Sequence, residues 1–491
     1  MAGATLLIYL AFQNWGYDDP YITYRYARNI AGGDGFVYNP GERVLSTTTP
    51  LFALLLAGLS FFTQALPQAA IFIGAASLAA GALMLLDLSR CWETPIIGWV
   101  ALFLYPTFSL PLLTLGSETP LVLALCLGTF QSYARRRFKT TGVLAGLAVL
   151  TRPDGILVPA VLAIDFCLQR YGDVRRKDQS AWREKPGPVV DAIPWQALVA
   201  FLAVTLPWVA FAWAYFGSPI PATLQAKQLQ GEMEITQRFA AGLITTLKTY
   251  YAAWYYKIEA ALALAGLCWA VIKQRRWLAL FAWTAAYFVA YTWLGVGRYF
   301  WYYAPLALGF IAAMGLGFEA IYAASKRSSG QFAAPTSRLL AAGITASLAM
   351  LLGLFQIRGV SNIHQHPDTR LPIYRAVGEW LSTKTPNDSL VGALEVGIIG
   401  YYSNRRMLDF AGLIQPSVAR NFTADATYED TALWATDHYR PETLVLQRGA
   451  FPRLETLALA RGCSLSATFA GKNYAHTWDL DLYTCRLEES P

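Results

Sequence analysis

The chain has 491 residues, of which 55% are hydrophobic and only 14% are charged. Soluble globular proteins carry about a quarter charged residues, so this composition excludes an ordinary soluble protein. The net charge of +7 would suit nucleic-acid binding, but Lys and Arg cluster in short loops between apolar runs, as in cytoplasmic loops of membrane proteins. The composition predicts a mostly α-helical, polytopic membrane protein.

The first apolar run, near residues 3–16, contains GATLLIYLAF. It lacks a basic leading region and a small-residue cleavage site, so we expect no cleavable signal peptide. It is also shorter than the roughly 20 residues that a span needs. That length fits a truncated start, or a Met1 that is not the native initiator.

Further apolar runs follow up to residue 356. They lie near 50–64, 68–87, 95–113, 119–134, 140–150, 155–168, 194–216, 258–272, 277–293, 304–323 and 339–356. Most of them have the length and composition of membrane-spanning helices.

Basic clusters between these runs predict which side of the membrane each loop occupies. The clusters lie at Arg135–Arg137, 170–185, Lys273–Arg276 and Lys326–Arg327. All of them fall on the cytoplasmic side only if 50–64 is a half-inserted or interfacial segment. This predicts about eleven transmembrane helices plus one interfacial segment, with the N-terminus inside and the C-terminus outside. The transmembrane domain would then be 1–357, with its first outer loop at 17–49.

The chain becomes polar from about residue 358, and its apolar runs shorten to strand length. Strands are predicted at SLVGAL (389–394), TLVLQ (443–447) and DLDLYTCRL (479–487), and a helix at IYRAVGEWL (373–381). We therefore expect a small extracytoplasmic α/β domain over 358–491. On that side a Cys463–Cys485 disulfide is expected, with two independent thiols as the alternative.

Two adjacent carboxylates, Asp18 and Asp19, stand where the first apolar run ends. Carboxylates beside hydrocarbon are unfavourable without a function or a partner, and burial raises their pKa toward that of a general base. Alternatively, one of them caps the helix that begins near Tyr21. Arg25 and Arg28 share one face of that helix, where they could orient the carboxylates, bind a phosphate or form a structural salt bridge.

Five stretches, in chain order, then carry a resemblance to a known family. They are DDPYITYRYARNIAGGDGFVYNPGERV (18–44), GSETPL (116–121), LTRPDG (150–155), GSPIPATLQAK (217–227) and ALEVGIIGYYSNRRMLDFAGLIQP (393–416). The chain resembles GT-C superfamily glycosyltransferases, above all the branch with mycobacterial terminal arabinofuranosyltransferases and related bacterial proteins. The resemblance implies a GT-C-like helical bundle that uses polyprenyl-phosphate sugars as donors.

The resemblance also implies catalytic residues. An acidic residue of the first outer loop serves such enzymes as the base, which matches Asp18 and Asp19, and a second acidic position matches Glu118. We favour Asp18 as the base. Thr47–Pro50 and Ala222 depart from the commonest family pattern, which puts the acceptor preference in doubt and leaves the base intact.

A departing polyprenyl phosphate requires neutralisation of its charge by Arg or Lys. The candidate donor-binding residues are Arg25, Arg152, Lys227, Arg298 and Tyr299. For the basic residues the alternative is snorkelling or lipid-headgroup contact, and for Tyr299 an interfacial aromatic belt. Asp154 is expected to pair with Arg152.

The remaining polar residues give weaker signals. Glu395 and Asp409 could recognise an acceptor, but as carboxylates of an α/β domain they are expected on its surface. The four His are scattered in the tail, and no His or Cys metal pattern exists. No cofactor is predicted, and a divalent cation on Asp18 and Asp19 has no supporting pattern.

The sequence thus predicts an inverting glycosyltransferase of the cell membrane. It would move a sugar from a polyprenyl-phosphate donor to a glycan, lipid or protein acceptor of the cell envelope, on the outer face. A transporter or flippase of lipid-linked saccharides is the main alternative, although the apolar runs carry almost no charge and show no repeat. A non-catalytic scaffold is a third.

Overall fold

The computed structural model describes residues 1–180, 194–328 and 335–485. The basic residues at 181–185, which belong to one predicted cytoplasmic cluster, lie outside the described residues, as do the side chains of Lys326 and Arg327.

Sixteen α-helices precede the C-terminal sheet domain, which begins with α17, in the described part of the chain. They are α1 (Ala2–Phe12), α2 (Asp18–Gly32), α3 (Pro50–Ser60), α4 (Leu66–Cys91), α5 (Pro95–Thr107), α6 (Ser109–Leu113), α7 (Thr119–Ala134), α8 (Phe138–Thr151), α9 (Leu157–Ser180), α10 (Trp195–Phe216), α11 (Ala222–Glu232), α12 (Phe239–Tyr251), α13 (Trp254–Ile272), α14 (Leu278–Leu294), α15 (Ala304–Ser328) and α16 (Pro335–Gln365).

Seven helical stretches of the described residues are long and apolar enough to cross a membrane. They are Leu66–Cys91, Pro95–Leu113, Trp195–Phe216, Trp254–Ile272, Arg275–Leu294, Ala304–Ala324 and Gly343–Lys384. Four shorter apolar helices, α1, α3, α7 and α8, accompany them. Together with the fold, these helices indicate a multi-pass membrane protein.

The bundle has two chemically different ends. At the first end Arg135 forms an ion pair with Asp87, and the rings of Trp92 and Trp277 lie 4.7 Å apart. At the second end the Trp15 indole donates to the Leu113 carbonyl at 3.2 Å. Arg276 donates to the Cys91 carbonyl beside Trp92, so Arg276 also lies at the first end, near the indole pair.

The number of crossings is bounded by the lengths of the helices. Seven stretches of the described residues have the length and hydropathy of a membrane span, so the count of about eleven transmembrane helices stays a prediction. Helix α3 has 11 residues, about 16 Å at 1.5 Å per residue, which is shorter than the roughly 30 Å hydrocarbon core of a bilayer. The predicted mostly α-helical membrane fold is confirmed, whereas the interfacial role of 50–64 stays a prediction.

A mixed sheet follows the bundle. Its elements are α17 (Arg370–Lys384), β1 (Leu390–Ala393), α18 (Gly397–Ser403), β2 (Arg406–Asp409), α19 (Pro416–Ala419), α20 (Tyr428–Tyr439), β3 (Thr443–Gln447), α21 (Pro452–Ala460), β4 (Ser464–Phe469) and β5 (Leu480–Thr484). The strand order is β2-β1-β3-β5-β4. Strands β2, β1 and β3 are parallel, with Val391 opposite Thr443, whereas β5 is antiparallel to β3 and β4.

The predicted α/β domain is confirmed, and the structure adds two strands, β2 and β4, that were not predicted. Cys463 and Cys485 form a disulfide that ties the start of β4 to the end of β5. The predicted boundary near residue 358 falls inside α16. One apolar core joins Tyr21 and Phe52, beside the bundle, to Ile373 and Ile398 of the sheet domain.

Candidate active site

Helix α2 carries both carboxylates and is wedged between the bundle and the sheet domain. Asp18 and Asp19 lie in its first turn, where negative charge interacts favourably with the helix dipole. The helix ends at Gly33, whose φ of 87° is a left-handed conformation that glycine adopts at little cost. Ten of the fifteen helix residues are buried, so the position of the carboxylates is set by packing on both sides.

The Asp18 carboxylate accepts two hydrogen bonds from the sheet domain. The backbone N–H groups of Gly397 and Ile398, at the start of α18, donate to its two oxygens at 2.9 and 2.7 Å. Burial and the nearby Glu395 nevertheless raise the pKa of Asp18 above its usual range. Both Asp18 oxygens are therefore engaged by the protein itself.

Asp19 points the other way and pairs with Lys227 of α11. The Lys227 ammonium lies 2.9 Å from Asp19 Oδ2, and 4.3 and 5.0 Å from the ring centres of Tyr299 and Trp301. Burial favours the neutral amine, but the Asp19 carboxylate and surrounding phenols outweigh it and raise the pKa of Lys227. The ammonium thus stays charged in a site built from aromatic faces and one carboxylate.

Asp19 and Lys227 line a cavity of about 480 Å³ at the second end of the bundle. One side of this first cavity is polar and includes Glu118 and Arg152. The other side is apolar, formed by Ile156, Leu157, Ile220, Leu224 and Leu294. This combination suits a ligand with one charged and one hydrocarbon part.

Arg152 organises the far wall of the first cavity. Its guanidinium donates to Asp154 at 2.6 Å and to the phenol oxygens of Tyr287 and Tyr291 at 3.1 and 2.8 Å. The predicted Arg152–Asp154 ion pair is confirmed. Arg152 Nε also lies 3.8 Å from Glu118, whose pKa is raised by burial. Most of the N–H groups of Arg152 thus donate to partners within the protein.

Three hydroxyls from α2 and the first loop line the same cavity. Thr23 Oγ1 lies 3.3 Å from Thr47 Oγ1 and 3.2 Å from Thr49 Oγ1, and Thr47 and Thr49 are 3.0 Å apart. The segment in which this chain departs from the family pattern therefore contributes directly to the wall of the site.

A second cavity of about 330 Å³ lies under the sheet domain. Its lining includes Glu395, Arg370 and Tyr428 of that domain, and Tyr299 and Arg298 from the loop before α15. Residues common to both cavities are Tyr17, Asp19, Trp301 and Leu413. Asp19 is accordingly a carboxylate that two different ligands could reach.

Arg25 lies apart from both cavities. Its guanidinium donates to the carbonyl oxygens of Tyr38 and Gly400 at 3.0 Å each, and to that of Arg405 at 2.5 Å. Arg28 likewise donates to the Tyr401 carbonyl, at 2.8 Å. Both arginines fasten α2 to the sheet domain, so we do not retain Arg25 among the donor-binding residues.

The two other predicted donor-binding residues lie beside the second cavity. Arg298 is exposed and donates to Gln237 at 3.2 Å, whereas the Tyr299 phenol donates to Gln230 at 2.8 Å and its ring covers Lys227. Asp18, Asp19, Glu118, Arg152, Lys227, Arg298 and Tyr299 are thus brought around the two cavities.

Two carboxylates expected on the surface are not there. Asp409 is fully buried and accepts backbone hydrogen bonds from Ala411, Leu413 and Ile414. Burial raises its pKa to about 7. Glu395 lines the second cavity and pairs with Arg370 at 2.9 Å. Those surface assignments were wrong because the loop after Asp409 folds back onto its carboxylate, and because the partner of Glu395, Arg370, lies 25 residues away.

Sequence reasoning missed Arg370 and Tyr428. Both precede or begin helices of the sheet domain, and nothing local distinguishes them from surface residues. The described residues contain no group of three or more His, Cys, Asp or Glu placed to hold a metal ion.

Comparisons with known proteins give one family match and several structural ones. Residues 361–484 match a family described as a domain of unknown function, DUF8728. No curated protein matches the chain.

Among solved structures the chain is similar to ArnT from Cupriavidus metallidurans in the apo state. The identity is 14%, the TM-score 0.58, and the match covers 98% of this chain and 96% of ArnT. ArnT bound to undecaprenyl phosphate matches at 14% identity and a TM-score of 0.54, over 100% of this chain and 98% of that one.

The archaeal oligosaccharyltransferase AglB from Archaeoglobus fulgidus, in complex with an inhibitory peptide and a dolichol-phosphate, is also similar. The identity is 13%, the TM-score 0.57, and the match covers 91% of this chain and 69% of AglB. The chain therefore has the fold of ArnT and AglB.

Proposed function

We propose that this protein is an inverting membrane glycosyltransferase that takes a sugar from a polyprenyl-phosphate donor. The observation that carries the proposal is the position of Asp19, in the wall between the two cavities and 2.9 Å from the Lys227 ammonium. The similarity to ArnT bound to undecaprenyl phosphate and to AglB with dolichol-phosphate supports this donor class.

The donor would occupy the first cavity. Its prenyl chain suits the apolar side, formed by Ile220, Leu224 and their neighbours, and its phosphate suits Lys227. As the bond from the anomeric carbon to the phosphate oxygen breaks, negative charge grows on the phosphate, and the ammonium stabilises it. Arg152 holds Glu118 and Asp154 in place beside the sugar.

The acceptor hydroxyl would approach Asp19 from the second cavity. Asp19 takes the hydroxyl proton while the oxygen attacks the anomeric carbon from the side opposite the phosphate, which inverts the configuration. Asp18 already accepts two backbone N–H groups and lines only the second cavity, whereas Asp19 lines both cavities, so we replace our preference for Asp18 by Asp19.

Within the GT-C fold, the five sequence motifs favour the branch of terminal arabinofuranosyltransferases and a cell-envelope acceptor. The basic clusters support the proposal that the cavities and the sheet domain lie on the extracytoplasmic side of the cell membrane. A flippase of lipid-linked saccharides remains the alternative function, since the first cavity would bind its cargo equally well.

Transfer assays with purified full-length protein in liposomes test the proposal. Polyprenyl-phosphate pentoses and hexoses serve as donors, and cell-envelope glycan extracts as acceptors. We expect Asp19→Asn to abolish bond formation while Asp34→Asn, an exposed carboxylate of the same loop, leaves it unchanged. Movement of the lipid-linked sugar across the membrane without transfer would support the flippase and refute the transferase.

A further inference from the structure

The second cavity contains a buried acceptor atom without a partner. Among the described residues, Glu395 Oε2 makes no hydrogen bond, although Glu395 Oε1 accepts one from Arg370 at 2.9 Å. Buried carboxylate oxygens are almost always satisfied, because leaving one unpaired is unfavourable by about 1–3 kcal/mol. A cavity-lining oxygen of this kind is suited to a ligand that donates an O–H or N–H.

Most charged side chains around the second cavity already have a partner. Arg370 is held by both Asp368 oxygens and by Glu395, Asp18 by backbone N–H groups, and Asp19 by Lys227. An ammonium group would have to take a carboxylate from one of these partners, and a phosphate would have to pair with the exposed Arg298, which donates to the neutral Gln237 amide. A neutral ligand rich in hydroxyl groups can instead donate to the unpaired Glu395 Oε2.

Aromatic rings complete the lining. Tyr17 and Trp301 are stacked at 5.4 Å, Trp301 and Tyr299 at 4.7 Å, and Tyr428 lines the cavity from the sheet domain. The aromatic rings give the cavity an apolar surface. Next to them, the Glu395 carboxylate can accept a hydrogen bond and the Arg370 guanidinium can donate one. That arrangement matches a sugar ring with neighbouring hydroxyls. An acyl chain is disfavoured, because it cannot form hydrogen bonds with the charged groups of the lining.

We propose that the second cavity is a binding site for a neutral carbohydrate, in which Glu395 and Arg370 recognise adjacent hydroxyl groups. The proposal rests on the proposed function in one respect: it makes the acceptor a glycan rather than a lipid or a peptide. Glu395 and Arg370 are then specificity-determining residues supplied by the sheet domain.

Saturation-transfer NMR on the full-length protein in detergent, without donor, tests this directly. The probes are methyl glycosides of neutral pentoses and hexoses, their disaccharides, a neutral hexapeptide and phosphatidylglycerol vesicles. We expect a saccharide to bind, and Glu395→Ala to weaken its binding at least about tenfold, the effect of losing one hydrogen bond to a charged group. Glu379→Ala, in the exposed Arg375–Glu379 pair of α17, is the matched control and should change nothing.

Glu395→Gln is a second variant for the case in which Glu395→Ala misfolds, because Gln keeps the shape of the side chain and removes its charge. Thermal unfolding shows which of the two variants is folded. Preferential binding of the peptide or the vesicles, equal saccharide binding by Glu395→Ala, or no saccharide binding at all would overturn the proposal. Saccharide binding without any transfer would instead refute the proposed function and leave the binding site standing.

Discussion

Asp18 and Gly397 are joined by a direct hydrogen bond, 2.9 Å long, between residues 379 positions apart in sequence. Gly397 comes so close that a Cβ atom there would lie 2.0 Å from the Asp18 carbonyl oxygen. This contact places the neighbouring Asp19 in the wall between the cavities, so the sheet domain positions the proposed base.

Gly397→Ala should therefore push α18 away from α2. We expect a loss of stability of about 1–3 kcal/mol, typical of overpacking, and a fall in transfer activity. Thermal unfolding of the purified protein and the transfer assay measure both. Gly359→Ala, at a helical position with no neighbouring atom within 4 Å, is the control and should be neutral or slightly stabilising. Wild-type stability and activity in Gly397→Ala would contradict the positioning role.

Arg25→Met distinguishes the structural role of Arg25 from the predicted donor-binding role. The substitution leaves the buried carbonyl oxygens of Tyr38, Gly400 and Arg405 without their donor, so we expect a loss of about 2–4 kcal/mol in stability. The remaining active fraction should keep the donor KM of the wild type. A raised donor KM at unchanged thermal stability would return Arg25 to the donor site.

Lys227→Met removes the charge that faces the donor phosphate while roughly keeping the side-chain volume. We expect donor binding to weaken about tenfold or more, since a charge-assisted contact contributes roughly 1.5–3 kcal/mol. Equilibrium binding of a polyprenyl phosphate in detergent measures this. Lys248→Met, on the exposed face of α12, should bind like the wild type. Equal affinity in both variants would show that the phosphate binds elsewhere.

Asp409 gives a pH dependence with a definite sign. Because burial raises its pKa from 3.8 to about 7, the folded protein binds this proton more tightly than the unfolded chain between those values. Stability from this group is thus fully present below pH 3.8 and falls as pH rises, by up to about 1.4 kcal/mol per pH unit, until it levels above pH 7. Asp409→Asn should remove this slope from thermal unfolding between pH 4 and 8, and an unchanged profile would count against it.

Removal of the disulfide should lower the stability of the sheet domain. Cys463 and Cys485 are separated by 22 residues, and closing a loop of that size stabilises a fold by about 3 kcal/mol. The double substitution of Cys463→Ala and Cys485→Ala should lower the unfolding temperature of the sheet domain, followed by hydrogen exchange in β4 and β5. Addition of a reductant to the wild type should have the same effect. Equal exchange rates in β4 and β5 with and without the disulfide would refute its stabilising role.

The apolar runs predicted the bundle well, because a span's length and composition are local properties of the sequence. The basic clusters predict α3 as the segment that does not cross, since its exclusion keeps Arg135 and Arg276 on one side, and its length of 11 residues is compatible with that prediction. Strand β4 was missed because its exposed, polar sequence at a sheet edge lacks a buried face.

Roles within the site were harder to predict, since they depend on partners far away in sequence. Asp18 and Asp19 look equivalent in the sequence, and only the arrival of Gly397 on one side and Lys227 on the other separates them. Arg25 has the charge of a phosphate ligand, yet its partners are carbonyl oxygens up to 380 residues away. Local sequence patterns do not predict contacts between residues so far apart.

The bond between Asp18 and α18 also sets an order of events during biosynthesis. The first loop reaches the membrane surface long before residues 397–405 leave the ribosome, and until then Asp18 and Arg25 have no partners from α18 and the turn after it. A half-made chain already embedded in the bilayer therefore holds an unfinished site. The site is complete only when the sheet domain folds onto the loop.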